Sequence, residues 1–207
     1  MSEFDKGLVV RTSKLLSYIL RHGAHKEGIP ITGDGWVKLD DLLQNEEFKK
    51  LNIDENFIKY VVDTNDKQRF KMEYNSELDS ICIRANQGHS ISSVEVELKK
   101  VTSPEEIPVV VHGTYAPAWE KIRTEGLKTM TRQYVHFASG LPGESGVISG
   151  MRGSANVLIY IDVEKAIKAG IEFFISENGV ILSKGIEGTI PPCYFLKVTN
   201  RKGEQIE

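Results

Sequence analysis

The chain has few of the features that identify a protein quickly, and each gap excludes something. It has two cysteines, Cys82 and Cys193, far apart and in no metal-ligating spacing. They predict two buried free thiols in a reducing compartment, cytosol or nucleus, rather than a disulfide framework or a zinc site. The longest apolar run is the five residues Val157 to Ile161, too short to span a bilayer. The first six residues lack the apolar segment of a secretory leader. There is no G-x-x-x-x-G-K-S/T run, which argues against a P-loop. Gly33-Asp34-Gly35 neither follows a strand nor extends to G-x-G-x-x-G, so a dinucleotide site of the Rossmann kind is not expected. With no paired His or Cys ligands, no metal is expected either.

What is present is an ordinary globular balance, 40% hydrophobic and 27% charged over 207 residues. The net charge of −3 argues against bulk coating of nucleic acid, but the charge is uneven. From Lys6 to Lys26 there are five cations, two histidines and no acid. A local basic face on a mildly acidic chain suits a specific anionic ligand better than nonspecific duplex binding. Within that stretch stands Leu20-Arg21-His22-Gly23. A guanidinium fits phosphate oxygens, an imidazole moves protons near neutral pH, and the glycine is read as a sharp turn at a helix end. The plainer alternative is a solvated pair complementing the helix dipole.

The apolar spacing of residues 8 to 22 predicts an amphipathic helix. Trp36 to Leu39 reads as a strand, Asp40 and Asp54 as caps of two further helices, and 68–74 with 80–85 as a two-stranded ribbon. This is the element order of a winged helix. Its third helix, carrying Asp54, Glu55 and Asp63 against Lys59, is a poor major-groove reader, so the basic first helix is the candidate binding face. Gln87-Gly88-His89-Ser90 is a polar break, and 92–99 reads as a strand leading to a lobe boundary near 95 to 105. The second half alternates short strands and helices, with a Gly-rich loop from Gly140 to Gly153, a turn at Asn178-Gly179 and a last strand over 193–198. The fold class is α+β, with lobes over 1–98 and 99–207.

Arg21, Arg69 and Arg152 come from three separate elements. Three guanidiniums gathered without an anion repel one another, so such a cluster predicts a ligand; the alternative is that each pairs with its own surface carboxylate. Ordered motifs across the chain settle the reading toward a ligand. Leu16 to Gly23, Gly35-Trp36-Val37 with Leu42-Leu43, Gln87 to Ser90, His112-Gly113-Thr114 with Trp119, Val135-His136-Phe137, and Ser176 to Leu182 running on to Ile190-Pro191-Pro192 together resemble the NAD-dependent RNA 2′-phosphotransferases.

That resemblance implies a winged-helix-like RNA lobe and an ADP-ribosyltransferase-like NAD lobe with a split, mostly antiparallel sheet. It implies removal of an internal 2′-phosphate from RNA, such as a spliced tRNA, with NAD consumed and no metal. An ADP-ribosylated RNA phosphate is the intermediate, and ADP-ribose 1″,2″-cyclic phosphate and nicotinamide are the products. Arg21, His22, Arg69 and Arg152 match the family's catalytic positions, with Lys67 as a basic neighbour on the RNA phosphate. His112, Gly113, Thr114, His136, Ser139 and Arg152 match its NAD-holding segments. Two departures are visible: Ala138 precedes Ser139 where the family often has the serine, and Gly153-Ser154 follows Arg152 where His-Gly is usual. A soluble monomer, with no membrane partner, is expected. The rival functions are a protein-modifying ADP-ribosyltransferase, for which Glu177 is the nearby carboxylate, and a noncatalytic winged-helix binding module.

Overall fold

A computed structural model describes residues 5–141, 143–144, 146–148 and 150–206. The chain divides into two compact units between Glu97 and Leu98.

The first unit opens with helix α1 (Lys6–Tyr18), capped by the Asp5 carboxylate, which accepts from the Gly7 N–H at 2.8 Å. The helix does not end at Arg21-His22. It widens into a π-helical turn over Ile19–Gly23, closed by Ala24 N–H donating to the Ile19 carbonyl at 2.9 Å. A π turn carries one more residue than an α turn. Ile19, Leu20 and Arg21 are thereby all buried while His22 stays exposed. The expectation of a sharp glycine turn is corrected here. Gly23 keeps a helical backbone, and it is glycine for want of space: a Cβ there would lie 2.7 Å from the Tyr18 ring.

Strand β1 (Val37–Lys38) is followed by α2 (Leu39–Leu43), α3 (Glu46–Lys50), α4 (Glu55–Asp63), β2 (Phe70–Asn75) and β3 (Ser80–Ala85). The cap of α2 is Lys38 rather than Asp40, which lies in the first turn. Asp54 does cap α4, accepting from Phe57 N–H at 2.8 Å. Replacing it with alanine should cost about 1 kcal/mol, read as a lower urea midpoint at unchanged slope. The three strands form an antiparallel sheet in the order β1-β3-β2. Its core comprises Leu16, Ile19, Leu20, Val37, Leu42, Phe48, Ile58 and Ile83, all fully buried. Residues 92–98 are not the expected strand; they run irregularly, with Val94 packed into this core.

The second unit contains β4 (Lys99–Lys100), β5 (Val111–Thr114), α5 (Ala116–Glu125), β6 (Leu127–Lys128), β7 (Val135–Phe137), β8 (Val157–Ile161), α6 (Val163–Lys168), β9 (Phe174–Ile175), β10 (Ile181–Ser183), β11 (Thr189–Ile190) and β12 (Phe195–Thr199). They form antiparallel sheets in the orders β4-β9-β10-β7 and β12-β8-β5, plus the pair β11-β6. Val111 and Ala138 exchange two backbone hydrogen bonds, at 3.0 and 2.9 Å, so β5 is tied to the end of β7. The residues before the last strand form a 3-10 turn over Pro192–Tyr194, and they leave Cys193 exposed rather than buried. Trp119, Phe137, Ile159, Phe173 and Ile181 fill the core. Among the described residues no helix is long and apolar enough to cross a membrane.

Candidate active site residues

In the first unit the candidate residues are brought together by a strap, residues 86 to 90, leaving the end of β3. Asn86 N–H donates to the Arg69 carbonyl at 2.9 Å, and its side-chain Nδ2 donates to the Gln68 carbonyl at 2.7 Å. Gly88 lies against the Arg21 guanidinium, within van der Waals reach of a Cβ placed on it. Ser90 N–H donates to the Arg21 carbonyl at 2.9 Å, and Ser90 Oγ is hydrogen-bonded to His22 Nδ1 at 2.8 Å. One five-residue segment therefore holds the backbone of Arg69, the backbone and side chain of Arg21, and the imidazole of His22. Asn86, Gln87 and His89 are buried, so this is a packed element and not the polar break its composition suggests.

Arg69 sits half-buried at the entry to β2. Its N–H and Nη1 both donate to Asn65 Oδ1, at 3.1 and 3.3 Å. Burial pulls its pKa below the ordinary arginine value, and Asp66 opposes the shift. Lys67 is one residue before the strand's lead-in, also half-buried. Arg84 lies over the Trp36 ring, 4.6 Å from its centroid.

His89 is the residue that sequence reasoning undervalues. It is 2% exposed, and its Nε2 is buried with no hydrogen-bond partner among the described residues. Burial, reinforced by the charges of Arg21, His22 and Arg84, lowers its pKa to about 4. The folded protein thus holds it neutral where the unfolded chain titrates near 6.5. Between those values the unfolded state binds more protons. Stability is therefore complete above about pH 6.5 and is lost as pH falls toward 4. The unfolding free energy read from urea titrations should drop across this window by about 3 kcal/mol, and His89→Gln should flatten the drop.

In the second unit, antiparallel pairing of β5 with β8 sets His112 opposite Ile159 and Gly113 opposite Leu158. His112 Nδ1 is hydrogen-bonded to the His136 carbonyl at 2.8 Å, and its ring meets Phe137 edge-on at 6.0 Å. Burial lowers the His112 pKa, with the carbonyl bond pulling the other way. Gly113 permits a close approach: a Cβ there would lie 2.9 Å from Ala155 Cβ and 3.0 Å from Met151 Sδ. The segment bearing Arg152 thus lies directly on β5. Thr114 is buried, and its carbonyl accepts from Asn156 N–H at 2.9 Å. His136 Nδ1 is hydrogen-bonded to the Tyr134 carbonyl at 3.0 Å, and Ser139 is exposed just beyond β7.

Arg152 is exposed and hydrogen-bonds the Tyr115 hydroxyl, which also bonds Ser154 Oγ at 2.8 Å. Those two bonds, Ser154 first, lower the tyrosine pKa. So Ser154, two positions after Arg152, is bonded to the same tyrosine hydroxyl. Arg132 is close enough for the Arg152 charge to add to burial in lowering its pKa. Neither arginine is in an ion pair among the described residues. Tyr115 and Arg132 were not legible as site residues, because neither stands in a motif. Ser176 and Asn178 are buried and bonded to each other at 2.8 Å, which makes that motif a structural turn. Glu177 is exposed on it.

A profile of the family described as "RNA 2′-phosphotransferase, Tpt1 / KptA family" matches residues 8–185. A tRNA 2′-phosphotransferase 1 of Danio rerio is 46% identical over 196 residues, 93% of this chain and 86% of that protein. The Mus musculus protein of the same name is 46% identical over 188 residues, 90% of this chain and 75% of its own. The Saccharomyces cerevisiae tRNA 2′-phosphotransferase is 38% identical over 186 residues, 86% of this chain and 79% of its own.

Proposed function

The chain belongs to the RNA 2′-phosphotransferase family, and on that premise we propose that it transfers an internal 2′-phosphate of RNA, such as spliced tRNA, to NAD. The observation that supports the proposal is the strap of residues 86 to 90, which bonds the backbones of Arg69 and Arg21 and the imidazole of His22 and packs against the Arg21 guanidinium. The first unit is read as a winged-helix-like RNA lobe and the second as an ADP-ribosyltransferase-like lobe.

Fit to NAD rests on Arg132 and Arg152, two neighbouring guanidiniums with no carboxylate partner among the described residues, suited to a pyrophosphate. His112, Gly113, Thr114, His136 and Ser139 are the further candidates for holding the dinucleotide. NAD supplies an electrophilic ribose carbon and a neutral leaving group. The RNA 2′-phosphate oxygen bonds to C1″ as nicotinamide departs with the electrons of its glycosidic bond. The obstacle is bringing two polyanions together, and fixed arginines answer it by charge and by orientation. In the second step the ribose O2″ bonds to phosphorus and the RNA O2′ departs. One proton leaves O2″ and one arrives at O2′; His22 is the group assigned to move it. Arg21, Lys67 and Arg69 hold the charge on the transferring phosphoryl group. The products are 2′-hydroxyl RNA, nicotinamide and ADP-ribose 1″,2″-cyclic phosphate.

The test is incubation of the purified chain with a short RNA bearing one internal 2′-phosphate, with and without NAD, and mass analysis of the products. Loss of phosphate only with NAD, together with the cyclic phosphate, is the expected result. Phosphate retained under both conditions rejects it.

A further inference from the structure

The first unit carries a groove of about 510 Å³ between α1 and the loop joining α4 to β2. That size falls in the range of small-ligand sites. Its lining differs from that of an apolar pocket. Ser13, Lys14 and Ser17 come from α1, and Lys67 and Arg69 from the loop. Among the described residues that line it, Asp66 is the one carboxylate. Lys14 is exposed and in no ion pair among the described residues. No acid lies between Lys6 and Lys26, so nothing on α1 neutralises it. Asn65 spans the groove's floor: Nδ2 donates to Ser13 Oγ at 3.4 Å, while Oδ1 takes both hydrogen bonds from Arg69. Val10, 54% exposed, gives the same wall an aliphatic surface.

A fixed guanidinium at one end, two hydroxyls, a lysine in no ion pair among the described residues and an aliphatic patch suit an extended sugar-phosphate chain. Phosphate and ribose contacts hold such a chain in register, and an aliphatic surface accommodates a sugar. We propose that this groove binds single-stranded RNA flanking the 2′-phosphorylated ribose, with Lys14 on the neighbouring phosphodiester and Ser13 and Ser17 donating to its oxygens. The proposal rests on the reading that Arg69 meets the 2′-phosphate, and it extends that site along α1. It assigns to α1 a role in substrate length and strandedness that the reacting groups themselves do not supply. A duplex, which buries neither base nor sugar in a groove of this size, should bind less well than a single strand of the same length.

Binding can be measured without turnover, using a labelled pentanucleotide with a central 2′-phosphate and, for comparison, a nucleoside 2′-monophosphate that has no phosphodiester. Lys14→Ala should weaken the pentanucleotide about tenfold, the lower end expected of a charge-assisted contact. It should also reduce the slope of log K against log salt by about 0.7, the loss of one phosphate contact on a single strand. Lys14→Arg should restore both. Val10→Glu, an exposed change that places a like charge beside the chain, should weaken the pentanucleotide further. Neither change should alter the affinity for the monophosphate by more than about twofold, since that ligand reaches no second phosphate. In steady state Lys14→Ala should raise KM for the pentanucleotide more than it lowers kcat. Lys59→Ala, on α4 and outside the groove, serves as the surface control.

If Lys14→Ala and Val10→Glu bind the pentanucleotide like the unaltered chain, the groove proposal falls, whatever the chain does to the 2′-phosphate. It falls too if both ligands weaken equally, because the effect then lies at the 2′-phosphate alone. If the pentanucleotide shows the Lys14 dependence but no phosphate is removed, the groove stands and the activity assigned above fails.

Discussion

Arg69→Ala is expected to leave the first step running and to stall the second, so that RNA carrying an ADP-ribosylated 2′-phosphate accumulates. The argument begins with how firmly this side chain is held. Its backbone is pinned on both sides, N–H to Asn65 Oδ1 and carbonyl to Asn86 N–H. Its guanidinium is anchored by the same Asn65 oxygen, which leaves its outer face to meet an anion. Half-burial makes each charge-assisted hydrogen bond stronger than at an open surface. In the first step the 2′-phosphate is a nucleophile, and a cation on it helps positioning while tempering attack. In the second step charge builds on the same phosphoryl group as O2″ enters and O2′ leaves, and the cation stabilises that change directly. Two such contacts at about 1.5–3 kcal/mol each correspond to a loss of roughly 10²–10⁴-fold. Single-turnover reactions with end-labelled RNA resolve substrate, intermediate and product by mass. Product formed at the unaltered rate, with no trapped species, would reject the assignment. Lys67→Ala is expected to behave alike with a smaller loss, since a lysine offers no planar fork.

Much of the first unit was legible because its signals are local. The helical apolar spacing around Leu16, Ile19 and Leu20 survives in the core, and Asp54 caps α4 through its own carboxylate. In the second unit, the local turn signal at Asn178-Gly179 lies between β9 and β10, which pair as antiparallel neighbours. What was not legible depended on tertiary structure. Helix α3 is five residues long, too short for a period to show, and it is stabilised by Phe48 in the core and the Asn45 cap. Residues 92–99 read as a strand, yet among the described residues they find no ladder partner before Lys99. The π turn at Ile19–Gly23 has no sequence signature, and it alone puts Arg21 inside and leaves His22 outside.

The candidate site shows the same division. Arg21, His22 and Arg69 could be named from motifs, but what joins them could not. The residues doing so, Asn86 to Ser90, look like a loop because they are polar and contain glycine. They are packed because their polar atoms are engaged by the backbones of Gln68 and Arg69 and by Arg21 and His22. Arg132 and Tyr115 lie 20 and 37 positions from Arg152 in the chain, and only folding brings them beside it.

His22→Ala is the second large effect to expect, and its pattern differs from that of Arg69→Ala. The imidazole is exposed, and its Nδ1 is fixed by Ser90 Oγ at 2.8 Å. That bond orients the ring, so the proton at Nε2 is the one to be exchanged with substrate. Removing a positioned proton carrier should lower the rate of the second step by about 10²–10⁴-fold. RNA affinity should fall by much less, because Arg21, Arg69 and Lys67 remain to hold the phosphate. The variant's kcat is therefore expected to collapse while its dissociation constant for 2′-phosphorylated RNA moves by no more than about threefold. Ser90→Ala separates orientation from chemistry. It keeps the imidazole and loses its tether, so it should cost far less, about tenfold, roughly one hydrogen bond. Equal losses of turnover and affinity in His22→Ala would make His22 a phosphate anchor and move the proton transfer elsewhere. The buried neutral His89 is not a substitute: with its Nε2 enclosed and its pKa near 4, it has neither access to substrate nor a proton to give at neutral pH.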